Sequence, residues 1–465
     1  MARVLTYTSP ARGHLYPAVP IVKELRSRGH ETVLYGLASE IERMRGLGIQ
    51  TRPLAPEVER IELEDYRART LPERGLRALG TFARRAGPET FDLERALDEH
   101  APDAVLVDVN CWGAAAVAES SGLPWAMYSP FLLMLSSRQA PPFGMGLAPM
   151  GGPLGRTRDA IARSLGRIGV DRAVLPTLNP LRARHGLARL EHFEELFAEP
   201  RLLLALTAEG FEYHRSDWPA NVRFVGPMNW SPAGPRDRCA LGTSASGPRD
   251  RHAVEPLSVR GHAGAGLEEL RDPLILVTCS TERQRDKRLL HVALQTLPGA
   301  GMSVLATSAA HDPAEFQAPP GSRVVRYASH DPVLERAACV VCHGGMGITQ
   351  KALAAQVPVV VVPFGRDQWE NARRVQVAGA GDLLSPRKLN SERLLAAVQT
   401  ALGARAGARL VSAAFARAGG ARAAADALEG MLGASGAANA NSTARATDSA
   451  DAADGTGAPT GQRDS

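Results

Sequence analysis

The stretch CHGGMGITQKALAAQVPVVVVPFGRDQW, Cys342 to Trp369, decides how this chain folds. An apolar run, ACVVC, reads as a strand ending at Cys342. His343-Gly344-Gly345-Met346-Gly347 then turns the chain into a helix over 347–355, and VPVVVVPF follows as a second apolar strand running into Arg366-Asp367-Gln368-Trp369. Strand, helix and strand at this spacing form a βαβ unit, which implies a parallel sheet.

Working outward, the same rhythm recurs on both sides. DPLILVTCS (272–280) and MSVLATS read as strands around a helix from Leu289 to Leu297, completing an open α/β unit. Near the N-terminus RVLTYTS (3–9) is a buried strand, PARGHLYP a loop, and Pro17 to Arg28 a helix with Val19, Val22 and Leu25 on its apolar face. Pro at the opening and Gly29 after the end suit helix termini. ETVLYG, DAVLVDV (103–109), a helix over 112–121 and LPWAMYS (123–129) continue the pattern. The expected fold is α/β, with two doubly wound, Rossmann-like domains facing a cleft. Residues 1–230 form the first domain, 231–268 a linker rich in Gly, Pro, Ser, Arg and His, and 269–433 the second. The tail, 434–465, has almost no large apolar residue and is expected to be disordered.

Bulk properties narrow the function. The 465 residues exceed what one core usually serves, and the net charge of +5 is carried almost entirely by Arg. No basic stripe is interleaved with aromatics, so nucleic acid is not the expected partner. Five cysteines make an odd set, and Cys339 and Cys342 lie three apart on a strand, pointing to opposite faces; packed thiols are expected, not a metal clip. The N-terminus shows no signal-peptide pattern and no apolar run is long enough to span a bilayer, which sets a cytoplasmic, membrane-free expectation.

Ligands of such sheets sit beyond the carboxyl ends of the strands. There His343, Gly344, Gly345 and Gly347 offer close backbone approach and free helix-start N–H groups, a site for a diphosphate; a plain tight turn is the alternative. Asp367 and Gln368, beyond the next strand, suit the vicinal hydroxyls of a sugar, although Asp367 also suits a helix cap. A dinucleotide fingerprint fails because Gln350 holds the third glycine position, and no P-loop or Asp-x-Asp metal pair is present. In the first domain His14 follows the first strand and Asp108 ends another, so Asp108 can hold one ring nitrogen while the other acts as a base toward an acceptor hydroxyl. An incidental loop histidine and a helix cap at Asp108 are the alternatives. The segment 124–152 mixes Met, Phe and Pro with glycines, and either walls an apolar acceptor pocket or covers the core.

HLYPAVPIVKELRSRGHETVLYG, TCSTERQRDKR and CHGGMGITQKALAAQVPVVVVPFGRDQWENARRV together resemble family 1 glycosyltransferases, above all actinobacterial natural-product and macrolide enzymes, over residues 1–230 and 270–430. The resemblance implies the GT-B architecture and metal-independent, inverting transfer from a UDP- or TDP-sugar to a small hydrophobic acceptor, with no other cofactor. It implies His14 as general base, Asp108 as its orienting acid, and Ser280, Thr281, His343, Gly344, Gly345, Gly347, Gln350, Asp367 and Gln368 around the donor. Trp112, Phe131, Met134 and Phe143 are the acceptor-pocket candidates. Tyr327-Ala328-Ser329-His330 departs from the family pattern near the base, leaving uracil and thymine both open. A homodimer, a nucleotide-sugar epimerase and a non-catalytic binding homologue also stay open.

Overall fold

In the computed structural model, residues 1–230, 267–282 and 284–434 are described. The expected linker therefore lies outside the described residues apart from 267–268, and the expected tail apart from 434. Two parallel sheets organise the chain. The first contains β1 (Arg3–Tyr7), β2 (Glu31–Gly36), β3 (Gln50–Pro53), β4 (Ala104–Asp108), β5 (Trp125–Ser129), β6 (Leu202–Ala205) and β7 (Val222–Phe224), ordered β3-β2-β1-β4-β5-β6-β7. The second contains β8 (Leu274–Thr278), β9 (Ser303–Thr307), β10 (Ser322–Val325), β11 (Ala337–Cys342), β12 (Val359–Val361) and β13 (Gly381–Leu383), ordered β10-β9-β8-β11-β12-β13.

Alternation along the strands explains why both faces are covered. In β8, Leu274 and Leu276 enter one core while Ile275 and Val277 enter the other. Cys342 and Cys339 divide the same way, and both are buried free thiols. Each buried Leu, Ile or Val contributes about 1.5–3 kcal/mol relative to exposure, so two-faced strands of this kind are strongly held in register.

Four helices differ from expectation. The first helix begins at Arg12, five residues before Pro17, so His14 lies in its first turn and not in a loop. Its start is held by Tyr128, whose hydroxyl donates to the His14 carbonyl at 3.1 Å. Two long helices, Leu71–His100 and Gly152–Arg184, pack over the first sheet. The second-domain boundary at 433 is corrected by a helix over 420–434. Its Ala424, Ala425, Leu428 and Met431 pack into the first-domain core with Val4, Ala18 and Leu106. At the rim Arg28 Nη1 donates to Asp426 Oδ1 at 2.6 Å and Glu429 Oε2 at 2.8 Å.

The domains touch through polar and apolar contacts. Arg366 binds Asp65 with two hydrogen bonds of 2.9 and 2.8 Å, and the Arg74 guanidinium donates to the Phe364 carbonyl. Leu132, Ala208 and Phe211 of the first domain are buried in the second-domain core.

Candidate active site

In each sheet the strand order reverses at one place, between β1 and β4 and between β8 and β11. Side chains beyond these strand ends converge, because neighbouring connections leave in opposite directions. His14 follows β1 and Asp108 ends β4, so the first pair of candidates stands at such a point. His14 Nδ1 and Asp108 Oδ2 are 2.8 Å apart, and Asp108 is fully buried. The carboxylate needs a donor there, so Nδ1 carries the proton and Nε2 presents its lone pair. Asp108 is itself fixed by the Asn110 backbone N–H, which donates to Oδ1 at 2.9 Å. Around His14, Phe131 meets the imidazole edge-on with centroids 5.8 Å apart, and the Asn110 side-chain amide lies 3.4 Å from Nε2. Asn110 Oδ1 is buried without a partner.

The second sheet's reversal point is lined by the ends of β8 and β11. Gly344 takes φ +91°, and a Cβ there would lie 2.5 Å from Val361 Cγ1. Only glycine fits this turn. His343 is buried and its Nδ1 has no partner. Burial pushes its imidazole below its ordinary pKa, keeping it neutral. The helix Met346–Ala354 starts at Gly345 with no side-chain cap, and the space beside Gly347 is open. Ser280 is buried, and its N–H donates to Asp286 Oδ2 at 2.6 Å; Thr281 is exposed. Asp286 and its partner His311 (2.8 Å) were not anticipated from sequence. Burial opposes the Asp286 charge, but the bonds from His311 and the Ser280 N–H outweigh it and hold the carboxyl below its usual range. With Cys279, whose thiol burial pushes well up, these residues are the group among the described residues whose ligand atoms could hold a metal, all within 4.8 Å. The hydrogen bonds to Ser280 and His311 already engage both Asp286 oxygens.

Asp367 is half-buried at the start of the helix Gln368–Val377, and it caps no backbone group of that helix with its side chain. Its Oδ2 accepts from Asn371 Nδ2 at 2.9 Å. Burial raises its pKa, while Asn371, Arg366 and His14 act in the other direction, so the loops of both domains share one electrostatic environment. The indole Nε1 of the adjacent Trp369 is buried without a partner.

Three of the candidates are engaged within the protein itself. The Gln350 amide nitrogen donates to the Leu206 carbonyl at 2.9 Å, tying the domains together. The Gln368 amide is engaged within the protein, its Oε1 accepting from the Phe364 and Gly365 N–H groups at 2.7 and 3.0 Å and its Nε2 donating to Gln284. Trp112 belongs to the core, where it is fully buried, packs against Phe82 and Phe193, and donates to the Val109 carbonyl. Of the other acceptor candidates, Phe131 touches His14, Met134 packs on the first-domain core, and Phe143 packs on the second-domain core.

Known proteins resemble this chain in sequence and in fold. A family model described as the C-terminal domain of erythromycin biosynthesis protein CIII-like proteins matches residues 298–425. The 4'-demethylrebeccamycin synthase of Lentzea aerocolonigenes is 32% identical over 424 residues, spanning 86% of this chain and 92% of that protein. The calicheamicin glycosyltransferase CalG4 superposes with a TM-score of 0.69 at 20% identity, covering 93% of this chain and 98% of that one. The spinosyn rhamnosyltransferase SpnG, solved with thymidine diphosphate, superposes at 0.60 with 19% identity, covering 92% of this chain and 100% of that one; it has also been solved with spinosyn aglycone. The two structures share the fold, and the sequence relative carries the kinship. With two Rossmann-like domains facing one cleft, this chain belongs to the natural-product glycosyltransferases of the GT-B fold.

Proposed function

We propose that the enzyme transfers a sugar from a UDP- or TDP-sugar to a hydroxyl of a small hydrophobic natural-product acceptor, in a single inverting displacement that needs no metal. The observation that carries this reading is the 2.8 Å contact between His14 Nδ1 and buried Asp108, which leaves Nε2 as the base. The acceptor O–H gives its proton to Nε2 as its oxygen bonds to the anomeric carbon. The bond from that carbon to the diphosphate breaks, and the diphosphate leaves with the electron pair. His343 and the uncapped helix start at Gly345 offer donors to the charge that develops on the leaving group. Asp367 is the group offered to the sugar hydroxyls. That SpnG has been solved with thymidine diphosphate and with an aglycone supports a nucleotide-sugar donor and a small acceptor.

A thermal-shift panel of UDP, TDP, GDP and NAD tests the donor half. A ligand at 100 times its Kd adds about 2.7 kcal/mol, so UDP or TDP is expected to raise Tm by several degrees while NAD does not. A shift with NAD alone, or with none of them, refutes the reading.

A further inference from the structure

The loop after β5 belongs to the first domain, yet its tip is held by the second. The Gly144 and Gly146 N–H groups both donate to Glu370 Oε1, at 2.8 and 2.7 Å. Both glycines have positive φ, +104° and +59°, which turns alternate N–H groups toward one point and makes a small anion nest. A Cβ on Gly146 would sit 2.8 Å from Trp369 Cβ, so the loop lies directly on the helix Gln368–Val377. Two more bonds pin it: Arg373 Nε donates to the Gly146 carbonyl at 2.9 Å, and the Tyr213 hydroxyl to the Leu147 carbonyl at 3.3 Å.

Glu370 is only 2% exposed and is balanced by Arg374, whose Nη1 donates to Oε2 at 2.8 Å. Arg374 also donates through Nε to Glu212 of the first domain at 2.6 Å and lies over the Tyr213 ring, 4.0 Å from its centroid. Burying three charges is costly unless every one is paired, and here they are. Surface packing alone would not require a carboxylate at this place; an apolar side chain could fill it. What the carboxylate adds is a directional grip on two backbone groups of a loop from the other domain.

The position of Glu370 in its helix gives that grip a use. Its N–H bonds to the Asp367 carbonyl at 3.0 Å, so Asp367, offered above to the donor sugar, and Glu370 are one rigid helical turn. The loop it holds carries Phe143 and continues back to Phe131 at His14. Donor contact and acceptor wall are thus two ends of one short mechanical path.

We propose that Glu370 is a positioning residue that couples donor-sugar occupancy to the order of the 143–147 acceptor loop. This rests on the donor assignment given above and on reading the segment 124–152 as the acceptor wall. A sugar that fixes Asp367 fixes the first helical turn, and the turn fixes the loop through the two glycine N–H groups. A bound donor then tightens the grip that already holds the acceptor wall, which favours transfer over unproductive acceptor binding.

Hydrogen–deuterium exchange of the peptide covering 141–149 in the whole protein tests this without requiring a known acceptor. UDP-glucose and TDP-glucose are the probes, with their binding followed separately by thermal shift. In the wild type the bound nucleotide sugar is expected to slow exchange of this peptide by roughly fivefold or more. Glu370→Ala is expected to bind the nucleotide sugar and lose the slowing. Glu370→Gln, whose amide oxygen still accepts from both glycines, is expected to keep most of it. Gly146→Ala, which forces the loop off Trp369 without touching the charges, is expected to lose it, and serves if the alanine variant at 370 is poorly folded. Binding without slowing in the wild type, or slowing that survives in both Glu370→Ala and Gly146→Ala, overturns the coupling and leaves the transferase reading intact. Failure of both nucleotide sugars to bind overturns the donor assignment, and the coupling with it.

Discussion

His14 and His343 stand at matching places, each just beyond a strand where its sheet's order reverses and each at the start of a helix. Their surroundings differ in every other respect. His14 is partly open to solvent and braced by a buried carboxylate on one nitrogen. His343 is buried, has no partner at Nδ1, and is held neutral by desolvation. The same topological position thus carries the proposed base in one domain and a neutral hydrogen-bonding group in the other. The fold supplies the place, and the neighbouring side chains assign the chemistry.

Replacing each histidine by glutamine would break this contrast if it is wrong. Glutamine can donate and accept hydrogen bonds but cannot take the acceptor's proton. His14→Gln is expected to lower kcat by about 10²–10⁴-fold, the usual contribution of a positioned base, with nucleotide-sugar affinity unchanged. His343→Gln is expected to cost less than about tenfold, one hydrogen bond's worth. Equal losses in steady-state transfer assays would show that the two sites are not divided as proposed.

The flanking glycines sharpen the contrast next. Gly13, before His14, has open space where a Cβ would go, whereas Gly344 has positive φ and Val361 at 2.5 Å. Gly344→Ala is expected to cost about 1–3 kcal/mol in chemical denaturation, the usual penalty of overpacking, and Gly13→Ala close to none. Equal costs would mean that the donor turn is less tightly constrained than its geometry indicates.

The smallest effect concerns what lies beneath the first site. Glu89 is fully buried, accepts from the Gly113 N–H at 2.9 Å, and has its other oxygen without a partner. Burial raises its pKa to about 8, with Asp108 adding to the rise. A carboxyl so raised stabilises the fold while protonated, fully below the ordinary carboxylate range, and that contribution is lost as pH rises through about 8. Glu89→Gln, permanently neutral, is expected to match the wild type in Tm near pH 5 and to exceed it by a few degrees at pH 9. A constant difference across that range would show that Glu89 is not the titrating group.

Much of this was legible in the sequence because apolar runs and glycine turns are local signals. The stretch 342–369 announced its strand, turn, helix and strand, and the kinship with glycosyltransferases matched His14 to Asp108 across 94 positions, at the 2.8 Å seen here. The helix Leu71–His100 was missed although its start is signed: Thr70 accepts from the Glu73 N–H, and Glu73 reaches back to the Arg69 N–H. The helix Gly152–Arg184 was harder to see, since Pro176 and Pro180 lie inside it and three glycines interrupt its pattern. The directions in which Gln350 and Trp112 turn were not legible, for one reason. Each stands next to a functional motif, and sequence adjacency does not reveal which way a side chain turns. In the Glu212–Arg374–Glu370 cluster the i,i+4 spacing of Glu370 and Arg374 on one helix is readable in the sequence, but Glu212 has no such signature, because it joins them only when the two domains meet.

The helix over 420–434 returns the chain to the first domain, where Leu428 and Met431 complete its hydrophobic interior. The domains are therefore not separable parcels of sequence. If the gene were divided after Trp230, the first piece would lack a wall of its own interior, and the second would carry that wall as an exposed apolar face. Each half would be a poor protein alone and a ready partner for the other, so the two pieces produced together in one cell should reassemble without a covalent link.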